Sequence, residues 1–242
     1  MRRESQNILL LLLGGALIKI AVDGSYLRYV KPAQQPWLIL SGAAMAALAV
    51  AAITRDIRTA RRVEPHPATE HDGHAHRTRS TWMLILPVLA IFLIAPPALG
   101  ADSVNRSDGR VISQARQVKT SAFAPLASGN PLPLTLTEVV TRAGWDATNS
   151  LNGRTVRLTG FVAHNRNVVY LARLVIGCCA ADAFPVKVRV TGAGVAALRD
   201  DQWVETTGTV RPDTATPANS YTPTFVVDSL KAVQAPQDPY EY

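Results

Sequence analysis

Three apolar stretches crowd into the first hundred of this chain's 242 residues, at 8–22, 37–53 and 82–99, and they constrain the fold more than any other feature. A hydrocarbon core of ~30 Å takes about 20 helical residues, with a range of roughly 17–25, so the second and third stretches are long enough to span it. The first is shorter. Tyr26, Arg28 and Tyr29 lie just beyond it, however, where aromatic anchors and snorkelling basic side chains lengthen a span. Three transmembrane α-helices are therefore expected, making residues 1–100 a membrane domain. Lys19 and Asp23 stand one helical turn apart in the first helix, spaced to pair on one face. The small residues at 41–49 would let another helix approach the second closely.

Orientation follows from the basic residues of the short flanks. One side holds Arg2, Arg3, Arg55, Arg58, Arg61, Arg62, Arg77 and Arg79, and the other only Arg28, Lys31, Arg106 and Arg110. The expected protein is a multi-pass one in the cell membrane, in contact with lipid, with a cytoplasmic N-terminus and an extracytoplasmic C-terminal half. A rival reading makes 82–99 an internal signal sequence cut before Ala101, since Arg77 and Arg79 precede it and small residues end it. The net charge of +7 is concentrated in the membrane half, where 11 Lys+Arg face 6 Asp+Glu, against 14 and 12 in the remainder. It therefore does not mark a basic nucleic-acid face, and no nucleic-acid partner is expected.

Residues 101–133, rich in Ser, Asn, Gly and Pro, read as a linker. A short helix is expected over 137–143, capped by Thr135 or Thr137 and ended by Gly144. From Leu151 the pattern changes to Val- and Thr-rich strands, expected at 154–163, 167–176, 185–190, 202–210 and 224–233, with a helical segment at 194–198. Gly160 and Gly208 inside two of these suggest bulges or corners. Five strands with a helical connection between the third and fourth match the order of an all-β, OB-like five-stranded barrel, placed at residues 134–242. An immunoglobulin-like sandwich would want about seven strands and a Cys…Trp…Cys spacing that is absent.

The sharpest chemical feature is Cys178-Cys179-Ala180-Ala181-Asp182, at the turn between the second and third strands. Adjacent Cα atoms lie ~3.8 Å apart, below the usual ~4.4–6.8 Å for a disulfide, so an intrapair bond would be strained. Three readings stay open. Two thiolates with Asp182 and His164 would supply the four positions of a zinc site, or hold another transition metal. The pair could instead cycle between dithiol and disulfide, though the common redox spacing is Cys-x-x-Cys. Or both are small buried hydrophobes. A second, looser metal candidate is the loop carrying His66, His71, His74 and His76 among carboxylates, which reads equally as a solvated linker. No phosphate-binding Gly loop, Gly-x-Ser-x-Gly elbow or His-Glu-x-x-His helix occurs, so no enzyme is expected.

Several stretches resemble an uncharacterised bacterial family of predicted membrane permease subunits carrying a domain of unknown function. These are Tyr29-Val30-Lys31-Pro32, residues 96–100, Thr159-Gly160-Phe161-Val162, residues 172–183 around the cysteines, residues 203–208, and the Pro236-Gln237-Asp238-Pro239-Tyr240-Glu241-Tyr242 ending. The resemblance implies an accessory subunit that accompanies a polytopic membrane permease, and it favours Cys178, Cys179 and Asp182 as metal ligands. Lys31 stands where the family's Tyr-x-His-Pro has His, so no metal role is carried to it. The expected function is thus a membrane-anchored accessory subunit of a two-component permease, binding a metal ion at its extracytoplasmic Cys-Cys site. A thiol-disulfide element and an anchored cell-envelope ligand-binding module are the alternatives.

Overall fold

The computed structural model describes residues 3–62, 89, 93, 97–106 and 123–242. It divides into two units: Met1–Tyr26 with Pro32–Pro97, and Leu27–Lys31 with Ala98–Tyr242.

The first unit is a helix pair, α1 (Arg3–Asp23) and α2 (Gln35–Arg62). The helical stretches Gln6–Asp23 and Pro32–Thr59 are long and apolar enough to cross a membrane. The helices meet through their smallest residues. A Cβ on Gly14 would lie 2.7 Å from the Gly42 carbonyl oxygen, and one on Gly42 would lie 2.9 Å from that of Gly14, so neither position accepts a side chain without separating the backbones. The Gln35 side-chain amide donates to the Ala21 carbonyl at 2.9 Å, and Lys19 Nζ lies 3.7 Å from Asp23 Oδ2, the pairing their spacing suggested. Two of the three expected membrane helices thus have counterparts among the described residues. Most of the 82–99 stretch, and His66, His71, His74 and His76, lie outside the described residues.

The second unit is built on seven strands: β1 (Leu132–Pro133), β2 (Thr155–Asn165), β3 (Val168–Val175), β4 (Phe184–Thr191), β5 (Trp203–Val210), β6 (Thr224–Ala232) and β7 (Tyr240–Glu241). Their order in the sheet is β1-β2-β5-β6-β4-β3-β7, with β2 also pairing β3. The long β2 is shared, its Thr155–Phe161 part pairing with β5 and its Phe161–Asn165 part with β3. Three contacts are parallel (β1–β2, β3–β7 and β4–β6) and the others antiparallel. The expected all-β, five-stranded barrel is thus corrected to a mixed seven-stranded sheet with helices packed on it. The five anticipated strands are present, but β1 and β7 add at its edges, and they are too short to carry a periodic signal.

Two helices complete this unit. Helix α3 (Ala101–Arg106) buries Ala101 and Val104 against Phe161, Ala163, Ala172, Leu174, Ile176 and Tyr240, while the Ala101 N–H donates to Asp201 Oδ1 at 2.6 Å. The first residues of the expected linker therefore belong to the folded unit. This second apolar layer also explains why β2 loses its alternation. Val156, Leu158 and Val162 face one core, whereas Phe161 and Ala163 face the layer under α3. Helix α4 (Leu136–Trp145) starts at Thr135, whose hydroxyl accepts from the Glu138 N–H at 3.0 Å, and sends Leu136, Val139 and Val140 into the main core. It runs one residue past Gly144, because the chain leaves the helix only at Asp146, whose carboxylate takes the Thr148 N–H at 2.9 Å. At Gly208 the β5–β6 register shifts by a bulge, and a Cβ there would lie 2.0 Å from the Val226 carbonyl oxygen, so the corner admits only glycine.

Candidate functional site

The segment from Ile176 to Ala183, between β3 and β4, is folded around the Asp182 carboxylate. Ile176 is buried and donates its N–H to the Glu241 carbonyl at 3.1 Å. The chain then turns outward. Asp182 Oδ1 accepts the Gly177 N–H at 2.8 Å, and Oδ2 accepts the Cys178 N–H at 2.7 Å. A Cβ at position 177 would lie 2.9 Å from Asp182 Oδ2, so glycine is what lets the carboxylate close the loop. The short turn Ala180–Asp182 returns the chain, with the Asp182 N–H on the Cys179 carbonyl at 3.0 Å.

The other side of the loop is held by residues 29–31, which belong to the same unit. The Ala180 N–H donates to the Tyr29 carbonyl at 2.7 Å, the Lys31 N–H donates to the Cys178 carbonyl at 3.3 Å, and Val30 bridges Cys179 antiparallel. With its backbone fixed from both sides, the loop presents two free thiols, exposed at Cys178 and half-buried at Cys179, with their sulfurs 3.7 Å apart. The sulfurs and a carboxylate oxygen of Asp182 all lie within 4.8 Å of one another.

The electrostatics are those of one carboxylate beside two thiols. Hydrogen bonding to Asp182, then to Cys179, together with the Asp182 charge, pushes the Cys178 thiol up to about 11. Asp182 moves the other way. Burial works to raise it, but the N–H groups of Cys178 and Gly177 outweigh that and hold it below the ordinary carboxylate range. Two sulfurs and an oxygen converging at the surface form the donor set of a borderline or soft cation such as zinc, which would displace the thiol protons as it bound.

The structure brings together Cys178, Cys179 and Asp182, but it does not add His164. Its ring Nδ1 lies 2.8 Å from Asp200 Oδ1, and its N–H meets the same oxygen at 2.7 Å. His164 pairs with Val169 near the start of β3 whereas the cysteines follow its end, a separation of roughly 20 Å at about 3.3 Å per residue. Of the four candidate ligands expected from the sequence, the structure groups three, Cys178, Cys179 and Asp182, and leaves His164 apart.

Sequence reasoning missed the supports of this site. The Glu241 carboxylate accepts the N–H groups of Leu136 at 3.0 Å and Thr137 at 2.9 Å and the Thr137 hydroxyl at 2.6 Å, so it neutralises the N-terminus of α4. The Tyr240 hydroxyl donates to the Arg28 carbonyl at 2.9 Å and accepts the Leu99 N–H at 3.3 Å. Arg173 donates to the Tyr240 carbonyl at 2.9 Å, lies 3.9 Å from Glu241 and stacks over Trp203 at 5.0 Å. The Tyr-x-Tyr ending was the one available signal, and its periodicity gave it no place in the fold.

Comparison with known proteins returns two family matches. Residues 6–109 match the DUF1980 N-terminal domain and residues 144–242 match the DUF1980 C-terminal domain. Among curated proteins the chain is similar to UPF0703 protein YcgQ of Bacillus subtilis (strain 168), with 30% identity over 94 residues. That alignment takes in 37% of this chain and spans only 33% of the relative's length. No solved structure matches the chain.

Proposed function

We propose, starting from the two DUF1980 domains that its halves match, that the protein is a non-enzymatic, membrane-anchored accessory subunit of a two-component permease. It takes a transition-metal ion, zinc foremost, on Cys178, Cys179 and Asp182. The observation that carries this reading is the convergence of three ligand atoms within 4.8 Å on a loop whose backbone is fixed from both sides. Three protein ligands leave a coordination position open, which suits an ion that is accepted and handed on better than one locked into a structural site. Supporting the anchoring, the segment joining the two apolar helices belongs to the sheet unit. This supports a reading with the segment and the sheet on one side of the membrane, which needs a third crossing after α2, for which the apolar stretch 82–99 is the sequence candidate; the balance of basic residues favours the extracytoplasmic side. A thiol-disulfide role has less support, because a bond between adjacent cysteines is strained and the common redox spacing is Cys-x-x-Cys.

The test is elemental analysis of the purified full-length protein in detergent, with thiols counted before and after chelation. The expected result is about one metal ion per chain, with both thiols titratable only once it is removed, and loss of the metal in Cys178→Ser/Cys179→Ser. Apparent affinity should rise by about tenfold per pH unit between pH 6 and 8 for each proton displaced, since a thiol near 11 is protonated throughout that range. Metal content equal in wild type and double variant would overturn the assignment.

A further inference from the structure

The cysteine loop and the segment joining α1 to α2 are paired backbone to backbone. Helix α1 ends at Asp23 and α2 starts at Gln35, and between them Leu27–Lys31 belongs to the sheet unit. The antiparallel bridge of Val30 to Cys179 is flanked by two hydrogen bonds, from the Lys31 N–H to the Cys178 carbonyl at 3.3 Å and from the Ala180 N–H to the Tyr29 carbonyl at 2.7 Å. Residues 29–31 therefore meet the cysteines themselves and the residue that follows them. Just before the bridge, the Arg28 carbonyl accepts from the Tyr240 hydroxyl at 2.9 Å.

This ladder is short, and Pro32 has no N–H with which to lengthen it. Short pairings near a surface open locally at little cost. Opening this one displaces residues 178–180, and Cys178 and Cys179 carry two of the three ligand atoms that lie within 4.8 Å of one another. An ion on both sulfurs and on Asp182 ties those positions into one chelate, and holds it only while they converge. The Asp182 oxygens can take the ion and still accept the Gly177 and Cys178 N–H groups, since a carboxylate offers about four acceptor positions. The paired arrangement thus binds an ion better than the opened one, and a ligand shifts such an equilibrium by its differential affinity.

We propose that occupancy of the Cys178, Cys179 and Asp182 site controls the connector between the two apolar helices, an inference that rests on the metal reading of this loop. With the ion bound, residues 29–31 are locked onto the loop; with the ion gone, they pair and unpair freely. The coupling is reciprocal, so whatever draws the connector off the loop weakens the ion by the same factor. Both ends of the connector run on into apolar helices, so a displacement of α1 or α2 reaches the loop through the chain itself. That gives an accessory subunit a means of releasing its ion on a signal from the membrane.

Hydrogen exchange of the full-length protein in detergent, with and without zinc, tests it, with bound zinc measured on the same samples. The connector carries none of the three ligands, so its exchange reads coupling and not coordination. The expected result is that amides of residues 27–31 exchange at least about tenfold more slowly at zinc about 100 times its Kd, and that Cys178→Ser/Cys179→Ser abolishes the slowing. Lys31→Pro, which removes a donor of the ladder, should weaken zinc at least about threefold by chelator competition. Tyr240→Phe frees the Arg28 carbonyl while keeping the ladder and all three ligands. It should speed exchange of the same amides in zinc-free protein at least about twofold and also weaken zinc, so the coupling stays testable if Lys31→Pro does not fold. Zinc bound with connector exchange unchanged would overturn the coupling and leave the metal site standing. Equal slowing in the double Ser variant, or wild-type zinc affinity in the ladder variants, would overturn it as well. A wild-type protein that takes up no zinc would overturn the coupling and the metal reading together.

Discussion

In α1 and α2 the bulky apolar side chains point outward and the small ones inward, whereas in the sheet unit the bulk is inside. Trp37, Leu40 and Leu48 are each more than 60% exposed while Ala16, Ala21 and Ala49 are buried; Val156, Leu158 and Phe225 are fully buried. The inversion matches two different sources of cohesion. Expulsion of water drives the sheet's core together. A helix pair in surroundings as apolar as its own side chains gains little that way, and is held by close backbone packing at Gly14 and Gly42. Overall hydrophobicity does not separate the two regions, and the position of the bulk does.

The comparison can be broken by substitution. The largest effect is expected from Glu241→Ala, which strips the α4 N-terminus of its acceptor and leaves the Arg173 guanidinium buried without its carboxylate. Breaking such a pair costs about 3–5 kcal/mol, to be read as a lower denaturant midpoint for the sheet unit. Next, Leu158→Ala should cost about 2–5 kcal/mol, while Leu40→Ala, facing outward, should stay within about 0.5 kcal/mol. Equal losses at the two leucines would remove the inversion. Gly42→Leu should separate α1 from α2 at a cost of about 1–3 kcal/mol; the readout is weaker cross-linking between cysteines placed on the two helices, with sheet melting unmoved. The smallest effect is chemical. Asp182→Asn removes the charge that raises Cys178, so the thiol should titrate down from about 11 towards the ordinary ~8.5, and alkylation at pH 8 should accelerate. A midpoint left unchanged would show that Asp182 is not its cause.

How much of this was readable from the sequence depended on the range of the interaction. The strands β2 to β6 were legible because each carries its own Val and Thr pattern over eight or more residues. The Cys178, Cys179 and Asp182 cluster was legible because one turn of chain spans it. What stayed hidden depends on partners far along the chain. The Glu241 carboxylate reaches Thr137, 104 residues earlier, and nothing near either residue announces the other. His164 was grouped with the cysteines because it was the one histidine of the domain, and a strand's length separates residues that a composition argument pools. Residues 29–31 carried the family resemblance, but their backbone contacts to the cysteine loop leave no mark on side-chain identity.

The Tyr240 hydroxyl bonds the Arg28 carbonyl across 212 positions, in the same unit where β7 closes the edge of β3. During vectorial synthesis, residues 27–31 therefore emerge long before the segment that secures them. Non-local closure of this kind slows folding and leaves an unpaired strand edge in the waiting chain. The cysteine loop, whose backbone relies on both segments, is finished only after residue 241 has left the ribosome.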